Sequence, residues 1–384
     1  MKSFIRASVP AVAGLVLTAS LYGPPPPGKG PNRGGDDGGT QVDHRALQTD
    51  EIKLGTSGGW QFDLANGYCC GGTLGALIEF DGKKHILSNF HVLAADVVPG
   101  GNGVTAQLDD PVIHPALIDT NCGSSAYRDV ASLSGVANPL LGSNIDAATA
   151  EILPGAVDLS GAILQIGQIS NQTVAASVGQ AVKKSGRTTG FTRSTVAYLD
   201  VNVEVAYDDE CAGVEIGVGL FEGQIVVDNS GSSFLAGGDS GSLLVEDKAD
   251  RPRAIGLLFA GSSTHAIANP IDDVLGFFNA TMVGLDGTGS EEDSSGGGGN
   301  GRGNGGKKNR GNAAEIAKAM AANKKAEALA RRVAKGVGHG VGVDDSGKPY
   351  VAIFVETLEG EASDISEIDG VPVRLVETGR FVAF

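Results

Sequence analysis

The stretch LAGGDSGSLLV, residues 235–245, sets an aspartate and a serine among glycines and then runs straight into apolar residues. Gly, Asp and Ser are also what ordinary turns are made of, so the stretch becomes informative only through partners elsewhere in the chain. A serine hydroxyl needs a base to act as a nucleophile near neutral pH, and that base needs an acid to orient it. Of the six histidines, His44, His85, His91, His114, His265 and His339, one stands out. ILSNFHVLAA (86–95) puts His91 where an apolar run gives way to small residues, a position from which a scaffold presents a side chain to a cleft. A lone histidine there is more often a packed core residue. For the acid, SNIDAATAEI (143–152) sets Asp146 immediately before an alternating strand pattern, whereas Asp109, Asp110 and Asp119 fall in loop-like sequence.

Around these residues the chain reads as β structure. Its 384 residues, 41% of them hydrophobic, suffice for two or three folded units. From Ile52 to Val283 short apolar runs such as TLGALIEF, HILSNFHVLA, VEIGVGLF, GQIVVD, SLLVE and AIGLLFAG alternate with Gly, Asn, Asp or Ser punctuation. Few helical periods interrupt them, so the expectation is an all-β domain of two packed barrels or sandwiches. NPIDDVLGFFNATM (269–282) reads as a closing helix with Asn269 as its start signal. The expected layout is a signal peptide at 1–22, a Pro/Gly-rich spacer at 23–48, the β domain at 49–283, a Gly/Ser/Asn-rich linker at 284–312 and a small α/β module at 313–384. That module would hold one helix with Ile316, Met320, Leu329 and Val333 along a face, then strands in VGHGVGV, YVAIFVET and VPVRLVET.

Charge and cysteines bound the setting. The net charge is -16, the first 306 residues hold -17 of it, and residues 307–335 carry a local +7 against -6 over 336–384. An acidic main domain argues against a nucleic-acid surface, and the basic helix could complement an acidic face of the same chain. Lys2, Arg6 and the apolar run Val9–Leu21 form the layout of a secretory signal, too short to span a bilayer comfortably. The expectation is a secreted or cell-envelope protein without stable membrane insertion, a cytoplasmic one being the alternative. Cys69, Cys70, Cys122 and Cys211 form an even set suited to disulfides in an exported protein, and either of the adjacent pair could reach Cys122 or Cys211. Buried free thiols are the alternative. No CxxC or His-Cys cluster suggests zinc, and neither metal nor cofactor is called for.

CGGTL (70–74), ILSNFHVLAA (86–95), IDAATAE (145–151), KSGRTTG (184–190) and GGDSGSLL (237–244) follow one another in the order and rough spacing of trypsin-like serine proteases. The chain resembles the bacterial members of that family, and the order His, Asp, Ser matches the chymotrypsin arrangement. The resemblance implies a double antiparallel β-barrel of chymotrypsin type and a serine endopeptidase acting through an acyl-enzyme on protein or peptide substrates. It implies that Ser240 attacks, His91 moves the proton, Asp146 orients the imidazole, and the N–H groups of Gly238 and Ser240 form the oxyanion hole. Asp239 would anchor the loop, and Phe234, Phe259, Ala260 and Gly261 would line the substrate pocket.

KSGRTTG lacks the Gly-Lys-Ser/Thr order of a phosphate loop. It reads as a hairpin opening the second barrel, its Ser185 and Arg187 more often structural than substrate-touching. No IVGG-like new N-terminus is present, so activation by insertion of a freed amine against Asp239 is not expected. Phe234, six residues before Ser240, replaces the aspartate that selects Lys or Arg in trypsin, which points to small or apolar P1 residues. The C-terminal module is expected to be a regulatory or targeting domain that the linker lets reach the protease domain, an independent domain without contact being the alternative. The alternative for the whole chain is a catalytically silent binding or scaffold protein on the same fold.

Overall fold

A computed structural model describes residues 42–65, 67–98, 101, 103–123, 125–207, 216–286, 312–333, 335–358 and 367–383. The expected signal peptide, most of the expected spacer, most of the expected linker and Cys211 lie outside the described residues.

Hairpins with tight turns convert the alternating sequence into two curled antiparallel sheets. In the first, eight strands run in the order Thr281–Met282, Ala76–Phe80, Lys83–Ser88, Ala147–Ile152, Arg128–Ala137, Pro111–His114, Thr56–Trp60 and Gly72–Leu74. In the second, Ala181–Gly186, Leu243–Glu246, Ala254–Gly261, His265–Pro270, Val218–Asp228 and Gly190–Ala206 follow in turn. Pairing of Ala181–Gly186 with the start of Gly190–Ala206 closes these six into a ring. This is the double-barrel fold of chymotrypsin type. Aliphatic side chains from Ile52 to Met282 fill the first core, while Val182, Val196, Ile225, Val227, Phe234, Leu235 and Leu258 share a core of the second.

The strand Gly190–Ala206 is 17 residues long, too long for the ring alone. Its first residues pair with Ala181–Gly186, and further along Tyr198, Leu199, Asn202 and Val203 pair with Gly342, Val341, His339 and Gly338. Through this branch the C-terminal strands Gly336–Val343, Pro349–Val355 and Val371–Glu377 extend the second sheet. Helix Ala313–Asn323 and the short helix Glu327–Ala330 cover them. The expected single helix is thus interrupted after Asn323, whose side chain donates to Asp200 and meets His339 Nδ1 at 2.8 Å. The packed face is mostly alanine, Ala319, Ala322, Ala326 and Ala330 with Leu329, and such small side chains let the helices sit close to the sheet.

The closing helix runs Ile271–Phe278, but Asn269 does not cap it. Asn269 pairs with Leu257 inside the strand His265–Pro270, and its buried side chain accepts from Asp146 N–H and donates to Gln224 Oε1, leaving Pro270 at the helix boundary. Among the described residues, no helix is long and apolar enough to cross a membrane.

Candidate active site

His91 sits in a one-turn helix, Phe90–Leu93, at the end of the strand Lys83–Ser88. That strand pairs with Ala147–Ile152, so Asp146, one residue before the latter, falls beside it. His91 Nδ1 lies 2.6 Å from Asp146 Oδ2, with Asp146 wholly buried and His91 6% exposed. A proton on Nδ1 satisfies this contact and leaves Nε2 as the basic nitrogen. Three further groups fix the acid: Asn89 Nδ2 donates to its carbonyl at 2.7 Å, its N–H donates to Asn269 Oδ1 at 2.9 Å, and the Tyr207 hydroxyl donates to Oδ2 at 2.7 Å. Burial, with Asp146 adjacent, holds the Tyr207 phenol well above its ordinary range, so it stays a donor. Its ring also meets the His91 imidazole edge-on at 6.0 Å.

Ser240 arrives from the other barrel on the loop before Leu243–Glu246. Gly238 has φ +87°, a conformation open to glycine, and a Cβ there would meet Arg187 Nη1 at 2.5 Å. Thr73, from CGGTL, ties the loop to the first barrel: its N–H donates to Ser240 O at 2.8 Å and its hydroxyl to Gly238 O at 3.0 Å. Gly75 allows the approach, since a Cβ on it would come within 1.9 Å of Gly241 O. Among the described residues, the N–H groups of Gly238 and Ser240 have no hydrogen-bond partner. Two adjacent unsatisfied donors beside a serine are a ready site for a developing oxyanion. The Ser240 hydroxyl itself donates to Phe259 O at 3.1 Å, and Ser240 has no exposed surface.

Asp239 accepts from Thr188 N–H at 2.8 Å, Thr189 N–H at 3.1 Å, the Thr189 hydroxyl at 2.6 Å and Ala236 N–H at 3.1 Å. Its countercharge is Lys184, at 3.3 Å, and both side chains are fully buried. Burial pulls the Lys184 ammonium below its ordinary range, opposed by Asp239. KSGRTTG therefore forms a hairpin from Ala181–Gly186 to Gly190–Ala206 whose lysine and threonines hold the loop that carries Ser240. Arg187 of the same hairpin makes a bidentate pair with Asp119, at 2.7 and 2.6 Å, and Ser185 is buried.

The remaining sequence candidates separate. Phe259 and Ala260 belong to one apolar cluster, with Gly261 following on the same strand, whereas Phe234 packs in another with Val182 and Leu258. All four are buried. Tyr207, Asn269 and Lys184 were not singled out by sequence as site residues. Only Lys184 carried a signal, as one of two lysines inside a strand that the barrel core must cover. A second acid, Asp63, is 2% exposed and within electrostatic range of His91; burial pushes its carboxyl up to about 7. Cys69 and Cys122 form a disulfide beside this barrel. Among the described residues no cluster of His, Cys, Asp and Glu is arranged to hold a metal ion.

The model of the Nal1 C-terminal domain family matches residues 144–269, less than half of the chain, a span that includes Asp146 and Ser240 but not His91. No curated protein matches the chain. Among solved structures, a glutamic acid specific serine protease that uses a histidine triad in substrate binding is 19% identical, with a TM-score of 0.40 over 60% of this chain and 100% of that one. Thermobifida fusca protease A is 16% identical, with a TM-score of 0.40 over 61% and 100% of the two chains. Cellulomonas bogoriensis chymotrypsin is 18% identical, with a TM-score of 0.39 over 61% and 100%. The chain is similar in structure to bacterial chymotrypsin-fold serine proteases.

Proposed function

We propose that the protein is an exported serine endopeptidase in which Ser240 attacks the scissile carbonyl. His91 Nε2 takes the hydroxyl proton and returns it to the leaving amine, and Asp146 holds the imidazole tautomer and balances its charge. The N–H groups of Gly238 and Ser240 receive the oxyanion. Loss of one such donor costs ~3 kcal/mol of transition-state stabilisation. The observation that supports this reading best is the 2.6 Å contact between His91 and a buried Asp146; the N–H groups of Gly238 and Ser240, unpaired among the described residues, add to it. For the reaction, the Ser240 hydroxyl has to leave Phe259 O and donate to His91 Nε2. Phe259, Ala260 and Gly261 are the residues we assign to substrate contact, with Phe234 behind them in the barrel core, a lining suited to apolar side chains. The Cys69–Cys122 disulfide supports an oxidising compartment.

One observation favours a silent binding protein on the same fold: the Ser240 hydroxyl is bonded to Phe259 O and has no exposed surface. Casein hydrolysis by the purified protein separates the two. The peptidase reading expects activity that Ser240→Ala and His91→Ala each abolish while the melting temperature stays within a few degrees. Residual hydrolysis in Ser240→Ala equal to wild type contradicts it.

A further inference from the structure

The edge of the strand Ala254–Gly261 that faces Ser240 changes partner along its length. At Leu258 it pairs with the nucleophile loop, Gly241 N–H donating to Leu258 O at 2.9 Å and Leu258 N–H to Ser242 O at 3.0 Å. At Phe259 its carbonyl receives the Ser240 hydroxyl. At Ala260 and Gly261 it pairs, antiparallel, with Ala383 and Val382. The opposite edge of the same residues is already taken, Ala260 by Ile267 and Gly261 by Ala266. The nucleophile thus stands at the point where the barrel's own ladder stops and the C-terminal strand begins.

Direction matters here. An antiparallel peptide with residues opposite Gly261 and Ala260 brings its next residue opposite Phe259, whose carbonyl holds the Ser240 hydroxyl. A strand added to a sheet edge gains main-chain hydrogen bonds whatever its sequence and uses alternate side chains for specificity. Val382–Ala383 therefore runs as an extended peptide would run when presenting its following carbonyl to Ser240. In the sequence the next residue is Phe384. The segment is also seated by its side chains. Phe381 is fully buried against Phe354, with ring centroids 6.2 Å apart, and it shares a cluster with Phe259, Ala260 and Tyr207. Ala206 N–H donates to Phe381 O at 3.0 Å, and Val382 pairs with Ala206. This covering accords with the absence of exposed surface on Ser240.

We propose that the chain's own Phe381–Ala383 strand occupies the edge Phe259–Gly261, assigned above to substrate contact, and holds the enzyme in a self-blocked state. The blocking of catalysis rests on the peptidase reading; the occupancy of the groove does not. Because the occupant is tethered, it competes at an effective concentration on the order of mM. A peptide supplied in trans meets that competition until the strand is released.

The test uses the full chain carrying Ser240→Ala, so that no hydrolysis is needed, and a fluorescent peptide of the sequence TGRFVAF. Val382→Pro removes an N–H and disfavours the strand. The expected result is that Val382→Pro binds the peptide on the order of a hundred-fold more tightly than the chain without it. Equal affinity with and without the substitution, or no binding in either, overturns the proposal. Should Val382→Pro lose its cooperative melt, Val382→Gly, which keeps the N–H, is read the same way. In chains with Ser240 restored, Val382→Pro should hydrolyse peptides faster than wild type. Tight peptide binding without any hydrolysis leaves the groove assignment standing and removes the peptidase reading. Hydrolysis at the wild-type rate without peptide binding does the reverse.

Discussion

Asp146 Oδ2 accepts two hydrogen bonds, from His91 and from Tyr207. The tyrosine touches no reacting atom in the proposed mechanism and acts by positioning. Tyr207→Phe removes one bond to a charged acceptor, worth ~2 kcal/mol, while His91 keeps its own. We expect kcat to fall about ten-fold with KM little changed, as when only a transition-state charge balance is weakened, against the ~10^4-fold loss typical of an orienting aspartate replaced by asparagine. A loss in Tyr207→Phe as large as that of Asp146→Asn would make the tyrosine a full member of the machinery. Asp63 offers a different readout. Its carboxyl is raised from 3.8 to about 7 chiefly by burial, so the folded chain binds a proton there that the unfolded chain has already released. Stability from this group is fully present below pH 3.8 and is lost as pH rises towards about 7. Asp63→Asn should therefore raise the melting temperature relative to wild type at pH 8 and give no such gain at pH 3.5. A gain independent of pH would show that Asp63 is not the titrating group.

The hairpin Ala181–Ala206 shows why a motif's chemistry and its position can be misread separately. KSGRTTG was legible as a hairpin because Gly, Ser and Thr between apolar runs mark a turn. What it does was not legible, because no local pattern says that Lys184 faces inward onto Asp239, 55 residues later in the chain. The buried ammonium of Lys184 stands 3.3 Å from the loop aspartate. Lys184→Met leaves Asp239 buried with donors but no countercharge, which costs ~3–5 kcal/mol for a buried pair broken on one side. Chemical denaturation should show a loss in that range; a change below ~1 kcal/mol would mean that the four hydrogen bonds to Asp239 suffice. Asn269 is a similar case. Asn before an apolar helical pattern is a sound capping signal, yet its side chain serves Asp146 and Gln224 across the barrel interface, a tertiary demand that local sequence does not display.

For the molecule as a whole, the β architecture and the neighbours His91 and Asp146 were readable because both rest on local pattern plus order along the chain. Strand-length apolar runs give the barrels, and the pairing of Lys83–Ser88 with Ala147–Ile152 brings His91 to Asp146. Residues 313–384, read alone, gave helix and strands but no hint that Gly336–Val343 continues the sheet through Gly190–Ala206, or that Val382–Ala383 reaches the strand Ala254–Gly261, whose Phe259 carbonyl receives the Ser240 hydroxyl. Strand pairing between segments more than a hundred residues apart leaves no trace in either segment. Ser240 as an activated nucleophile is the claim on which the rest depends. Its most direct test is intact-mass and peptide-mapping detection of a fluorophosphonate adduct on wild type, Val382→Pro, His91→Ala and Ser240→Ala. The account predicts one adduct per chain, on Ser240, formed faster in Val382→Pro than in wild type and lost in both alanine variants. An adduct of equal yield in Ser240→Ala, or none in either wild type or a folded Val382→Pro, would contradict it.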